Sequence, residues 1–110
     1  MQDKVLSMIG LATRAGKLVS GEFMTEREVK AHRAELVLLA LDASENTKDH
    51  FRAMCSFHQI PICFYGDKES LGRAMGKEVR ASLAVLDQGF AKSILKQVES
   101  VKSKQDEGGC

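Results

Sequence analysis

Apolar positions along this chain switch repeatedly between a helical period and short strand-like runs. Val5, Ile9 and Ala12 share one helical face, flanked by Leu6 and Met8, and Gly16 ends that helix. Lys17-Leu18-Val19-Ser20 is a short extended piece that stops at Gly21. From Glu22 to Arg33 the polar residues are so dense that the predicted helix should lie largely exposed. Glu35 to Leu41 is then almost continuously apolar, the signature of a central strand covered on both faces.

Asp42 or Ser44 can cap the next helix, with Glu45 in capping-box register to Asp42. Phe51, Met54, Cys55 and His58 recur there at i, i+3, i+4 and i+7, an apolar stripe with one polar end. Pro61 breaks the helix, and Ile62 to Tyr65 is a further strand. Gly66-Asp67 opens a short helix from Lys68 to Met75 that Gly76 terminates. Ser82 to Leu86 is a fourth strand, and Asp87 caps a last helix carrying Ala91, Ile94, Leu95 and Val98.

Strands separated by helices predict an α/β sandwich with helices on both faces of the sheet. At 110 residues and without an internal repeat or linker, the chain reads as one domain over 1–101, followed by a flexible polar tail over 102–110. The segment Leu36 to Ala40 should be its most buried part. The pattern leaves the strand order open.

Composition narrows the function classes. Sixteen basic residues against fifteen acidic ones leave a net charge of +1, so bulk electrostatics announces no nucleic acid or membrane. No apolar run is long enough for a membrane span, and the N-terminus lacks a signal-peptide pattern. Three unpatterned cysteines, Cys55, Cys63 and Cys110, fit a cytoplasmic protein.

Catalytic chemistry is hard to find. Cys55 and Cys63 sit among apolar residues, which raise a thiol pKa rather than lower it. Cys55, His58 and Cys63 fall one ligand short of a closed zinc site. An aspartyl phosphorylation site at Asp42 would need an acidic pair after the first strand, and Val19-Ser20-Gly21 supplies none. Gly72-Arg73-Ala74-Met75-Gly76 is no phosphate-binding loop. The expectation is a protein that is not an enzyme and uses no cofactor, metal or small-molecule substrate.

Charge placement carries more. Arg14 and Lys17 flank the Gly16 turn, Arg27 and Lys30 follow on the second helix, and Arg73, Lys77 and Arg80 bracket the loop before the last strand. If the Gly21 turn and the Gly76 loop lie at one sheet end, a nearly neutral chain acquires a basic face.

Four segments together, Ile9 to Gly21, Leu36 to Thr47, Leu71 to Val79 and Asp87 to Ala91, resemble the YlxQ-type bacterial RNA-binding proteins. These form a branch of the kink-turn-binding ribosomal-protein superfamily. The resemblance covers the chain to about Val98. It implies a three-layer α/β/α sandwich around a four-stranded mixed sheet, and a cytoplasmic, monomeric protein that binds structured RNA, ribosomal RNA or the ribosome. By motif, RNA would be held by Gly21 and Arg27 on the second helix and by Lys77, Glu78, Val79 and Arg80 in the loop before the last strand, with Arg14 and Lys17 adding charge. Kink-turn readers carry an Asn-Glu pair where this chain has Phe23 and Met24. Phe23 is expected to anchor the helix, with base stacking as its alternative role. The competing reading is a protein-interaction module of the same fold.

Overall fold

The structure is a computed structural model that describes residues 3–105, with side chains from 3 to 101. Nine elements follow one another: α1 Lys4–Arg14, β1 Leu18–Ser20, α2 Glu22–Lys30, β2 Leu36–Leu39, α3 Glu45–His58, β3 Ile62–Phe64, α4 Lys68–Ala74, β4 Ser82–Val85 and α5 Gln88–Gln105. The last helix thus passes the expected domain end at 101. The rest of the expected tail, 106–110, lies outside the described residues.

The strands form one sheet in the order β1-β4-β2-β3. β4 pairs antiparallel with both β1 and β2, while β2 and β3 run parallel, so the sheet is mixed. Its two faces follow from the two-residue period of β2. Leu36 and Leu38 face Val5, Ile9, Leu71 and Ile94 of α1, α4 and α5. Val37 and Leu39 face Val29 of α2 and Phe51, Met54 and Cys55 of α3. Every residue from Leu36 to Ala40 is at most 1% exposed, as the apolar run predicts. The result is the expected three-layer α/β/α sandwich.

Caps mostly sit where the side chains allow them. Asp3 caps α1 and also accepts a hydrogen bond from the Tyr65 hydroxyl at 2.6 Å. Ser44 caps α3, accepting from the Thr47 amide. Asp42 does not cap α3; it accepts from the Lys68 amide at 2.9 Å and so ties the end of β2 to the start of α4. Asp67 and Ser70 form a reciprocal box on α4, and Asp87 accepts from the Phe90 amide at the start of α5.

Most of the stretch 22–33 is exposed as expected, although the helix ends at Lys30 and not at Arg33. Thr25, Glu28 and Val29 are buried, because one face of α2 lies against the sheet. Glu28 is kept ionised there by two arginines. Arg33 Nε donates to it at 2.6 Å, and Arg27 Nη2 donates at 3.1 Å. Arg27 is therefore a structural partner as well as a surface cation.

That clamp has a pH signature. The Arg33 hydrogen bond, aided by Arg27 and opposed by burial, holds the Glu28 carboxyl below the ordinary glutamate value of 4.5. A carboxyl depressed on folding contributes stability that is present above its unfolded pKa and is lost as pH falls through its folded one. Thermal midpoints measured from neutral pH down to below 4.5 should therefore fall less steeply in Glu28→Gln than in the parent chain. Glu26 and Asp67 are also depressed and contribute to both curves, so only the difference between them reports on Glu28. Parallel curves would show that the clamp does not couple to folding.

Candidate nucleic-acid interface

At the sheet end where β1 finishes and β4 starts, the Gly21 turn and the loop 75–81 meet. The Gly21 amide donates to Ser82 O at 3.0 Å, and the Ala40 amide donates to Ala81 O at 2.9 Å. Arg80 Nε crosses to Ser20 Oγ at 3.1 Å, joining the loop to the last residue of β1. The juxtaposition on which a basic face depends is thus present.

Gly21 has φ +94° and ψ 154°, a conformation that a side chain rarely tolerates. It opens α2 with no side-chain cap, and a Cβ placed on it would meet nothing within 4 Å. The first amides of α2 thus have no capping side chain at Gly21, and the helix dipole favours an anion at this end.

The second loop is held by backbone contact. Gly72 of α4 is buried, and the Lys77 amide donates to its carbonyl at 2.7 Å. A Cβ on Gly72 would come within 2.5 Å of Glu78 O. The Arg80 amide donates to Lys68 O at 3.0 Å, and its Nη1 donates to Val79 O at 2.8 Å. Lys77, Glu78 and Val79 themselves remain exposed.

Between these elements runs a groove of about 400 Å³ along the edge strand β1. Lys77, Arg80 and Met75 line it from the loop side, Met24 from α2, and Thr13 from α1. Leu18, Val19 and Ser20 form its floor. Arg14 and Lys17 do not share the Gly21 corner. They lie at the other end of β1, where Lys17 O accepts from the Leu86 amide. Four residues of extended chain set that end roughly 13 Å from Gly21.

Ion pairing divides the cations of this surface. Arg27, Lys30, Arg33, Lys48, Arg52 and Arg73 each have a carboxylate partner. Arg14, Lys17, Lys77 and Arg80 have none among the described residues. Of these, Lys77 and Arg80 line the groove and Arg14 and Lys17 flank the Gly16 turn; Lys4, Lys68, Lys92 and Lys96 also have no carboxylate partner among the described residues.

Phe23 is the other correction. It is 75% exposed and belongs to neither core cluster, so it does not anchor α2; Val29 joins the core from this helix, and Met24 is half-buried along the groove. Val79 is exposed on the facing loop. Sequence reasoning also missed the lining residues Thr13, Ser20 and Met75, which carry no charge pattern. A glycine in the middle of the short helix α4 was the available signal for the loop contact, since it costs helix stability unless a close approach requires it.

Elsewhere the chemistry stays structural. Burial pushes the Cys55 thiol up to about 11, away from thiolate reactivity. No group of three or more metal-ligating side chains occurs among the described residues, and none of their helices is long and apolar enough to cross a membrane.

Residues 3–95 match the model of the ribosomal protein L7Ae/L30e/S12e/Gadd45 family. The chain is 43% identical over 88 residues to the RNA-binding protein YlxQ of Bacillus subtilis, covering 80% of this chain and 88% of that protein. It is 35% identical over 98 residues to an RNA-binding protein YlxQ of Enterococcus faecium, covering 89% and 94%. A protein of unknown function from Bacillus halodurans superposes with a TM-score of 0.86 at 36% identity, over 89% of this chain and 99% of the other. The Giardia lamblia 15.5kD RNA-binding protein shares the fold with a TM-score of 0.73 at 20% identity, over 94% and 92%. The chain belongs to the ribosomal protein L7Ae/L30e/S12e/Gadd45 family.

Proposed function

We propose that this chain is a cytoplasmic, monomeric and non-enzymatic protein that binds structured RNA, in association with the ribosome. The observation that carries this reading is that the groove lined by Ser20, Met24, Lys77 and Arg80 runs beside the Gly21 start of α2, which has no side-chain cap. Amides at a glycine-led helix start accept a phosphate, and unpaired cations supply the counterion release that drives nucleic-acid affinity. Exposed Val79 gives an apolar contact for a base turned out of its stack. Arg14 and Lys17 extend the basic track along the β1 edge. The names of the B. subtilis and E. faecium relatives support the RNA reading.

Binding to total ribosomal RNA, followed across a salt series, tests it. Affinity should fall linearly in log–log form as salt rises. Lys77→Ala should weaken binding by about 1 kcal/mol or more and reduce the salt slope by about 1, with the thermal midpoint unchanged. Arg80→Ala should weaken it at least as much, since it also frees Ser20. Lys92→Ala, on α5 at the other end of the sheet, is the matched control. No binding at low salt would leave the protein-interaction reading in its place.

A further inference from the structure

Phe23 stands out among the exposed apolar side chains. Leu11, Leu41, Phe57 and Val79 are the others, and Phe57 at least lies edge-on to His58 with ring centroids 5.0 Å apart. Phe23 has no ring neighbour, no cation over its face and no place in either core cluster among the described residues. Folding does not use this ring. It nevertheless occupies the second position of α2, beside the open Gly21 corner and next to Met24 on the groove wall.

We propose that Phe23 is a stacking platform for one unpaired base of the bound RNA, and that it makes this site select RNA with an extruded or bulged nucleotide. This rests on the RNA reading above and adds the ligand feature that the site takes. Charge complementarity argues for a nucleotide as occupant. Lys77 and Arg80, cations without carboxylate partners, line the groove that the neighbouring residue Met24 also lines, and Arg27, ion-paired to Glu28, follows one turn further along α2. A protein partner would leave those charges to be matched separately. A nucleotide brings a flat π-face and its own phosphate together, which is the pairing that single-strand binders use. Nor can a phenyl ring hydrogen-bond a base edge, so it reads stacking availability and not base identity. A fully paired helix buries both faces of its bases and offers this ring nothing.

The chain contains no tryptophan, which makes the test direct. Phe23→Trp places a single indole on the proposed platform. Its emission should change on addition of an adenosine-bulged RNA hairpin and remain unchanged with the fully paired hairpin. Phe23→Ala and Phe23→Leu should each lose about 5- to 150-fold in affinity for the bulged hairpin, as removal of a stacking aromatic does. Their salt slopes and their affinity for the paired hairpin should stay at the parent values, and so should their thermal midpoints. If Phe23→Ala binds the bulged hairpin within twofold of the parent while Lys77→Ala weakens it, RNA binding stands and the platform is refuted. Parent-like binding by Phe23→Leu would also refute it, by showing plain apolar contact. Failure of the parent chain to bind either hairpin at low salt would overturn both readings.

Discussion

Leu38→Ala should lower the folding stability by about 2–5 kcal/mol, the range for emptying a fully buried leucine site. Leu38 is 0% exposed and lies in β2, which has β4 on one side and β3 on the other. Its register partners are Leu83 and Cys63, both wholly buried. It shares the face packed by α1, α4 and α5, so neighbours on three helices would have to collapse to refill the space. A domain of this size loses roughly 4–8 °C of thermal midpoint per kcal/mol. The expected drop is therefore a large share of the about 5–15 kcal/mol that usually separates folded from unfolded. Phe57→Ser is the contrasting case: at 82% exposure the ring should be replaceable within about 0.5 kcal/mol. Chemical denaturation of both variants measures the difference. A loss below half a kilocalorie for Leu38→Ala would place β2 at the margin of the core.

Much of this was legible because burial writes a period into sequence. Leu36 to Leu39 alternates between two core clusters, and both faces must then be apolar, which is what a continuous run reports. The stripe Phe51, Met54 and Cys55 similarly marks the buried side of α3. Strand order was not legible, since it depends on which strands meet across long connections and not on any local pattern. Glu28 was hidden for a related reason. A glutamate in a polar helix reads as solvated, and only the fold brings Arg33 round from the following turn to hold it under α2. Phe23 failed in the opposite direction: an aromatic at a helix start reads as an anchor, whereas the fold joins α2 to the core through Val29. The site residues behaved unevenly. Gly21, Lys77 and Arg80 converge because their two loops share one sheet end, whereas Arg14 and Lys17 are separated from that corner by the length of β1.

Gly72→Ala should destabilise the chain by about 1–3 kcal/mol, the usual cost of forcing atoms into filled space. At an ordinary helical position the same change would stabilise by roughly 0.5–1 kcal/mol, because alanine has less backbone freedom to lose. The sign reverses here because of what the new methyl meets. Glu78 O, Glu78 C and Val79 N would lie 2.5, 2.7 and 2.9 Å from it, and all three are backbone atoms that no rotamer change can move. The loop must therefore lift off α4, against the Lys77 amide bond to Gly72 O and the Arg80 amide bond to Lys68 O. Lifting it carries Lys77 and Arg80 away from the Gly21 corner, so RNA affinity should fall along with stability. Arg73→Ala, next to it on the exposed side of α4, removes only a surface ion pair with Glu69 and should change stability by less than about 0.5 kcal/mol. Calorimetry and RNA titration of the two variants separate the effects. A Gly72→Ala chain that melted higher than its parent would mean that the loop moves freely off the helix, and that α4 does not position the cations at all.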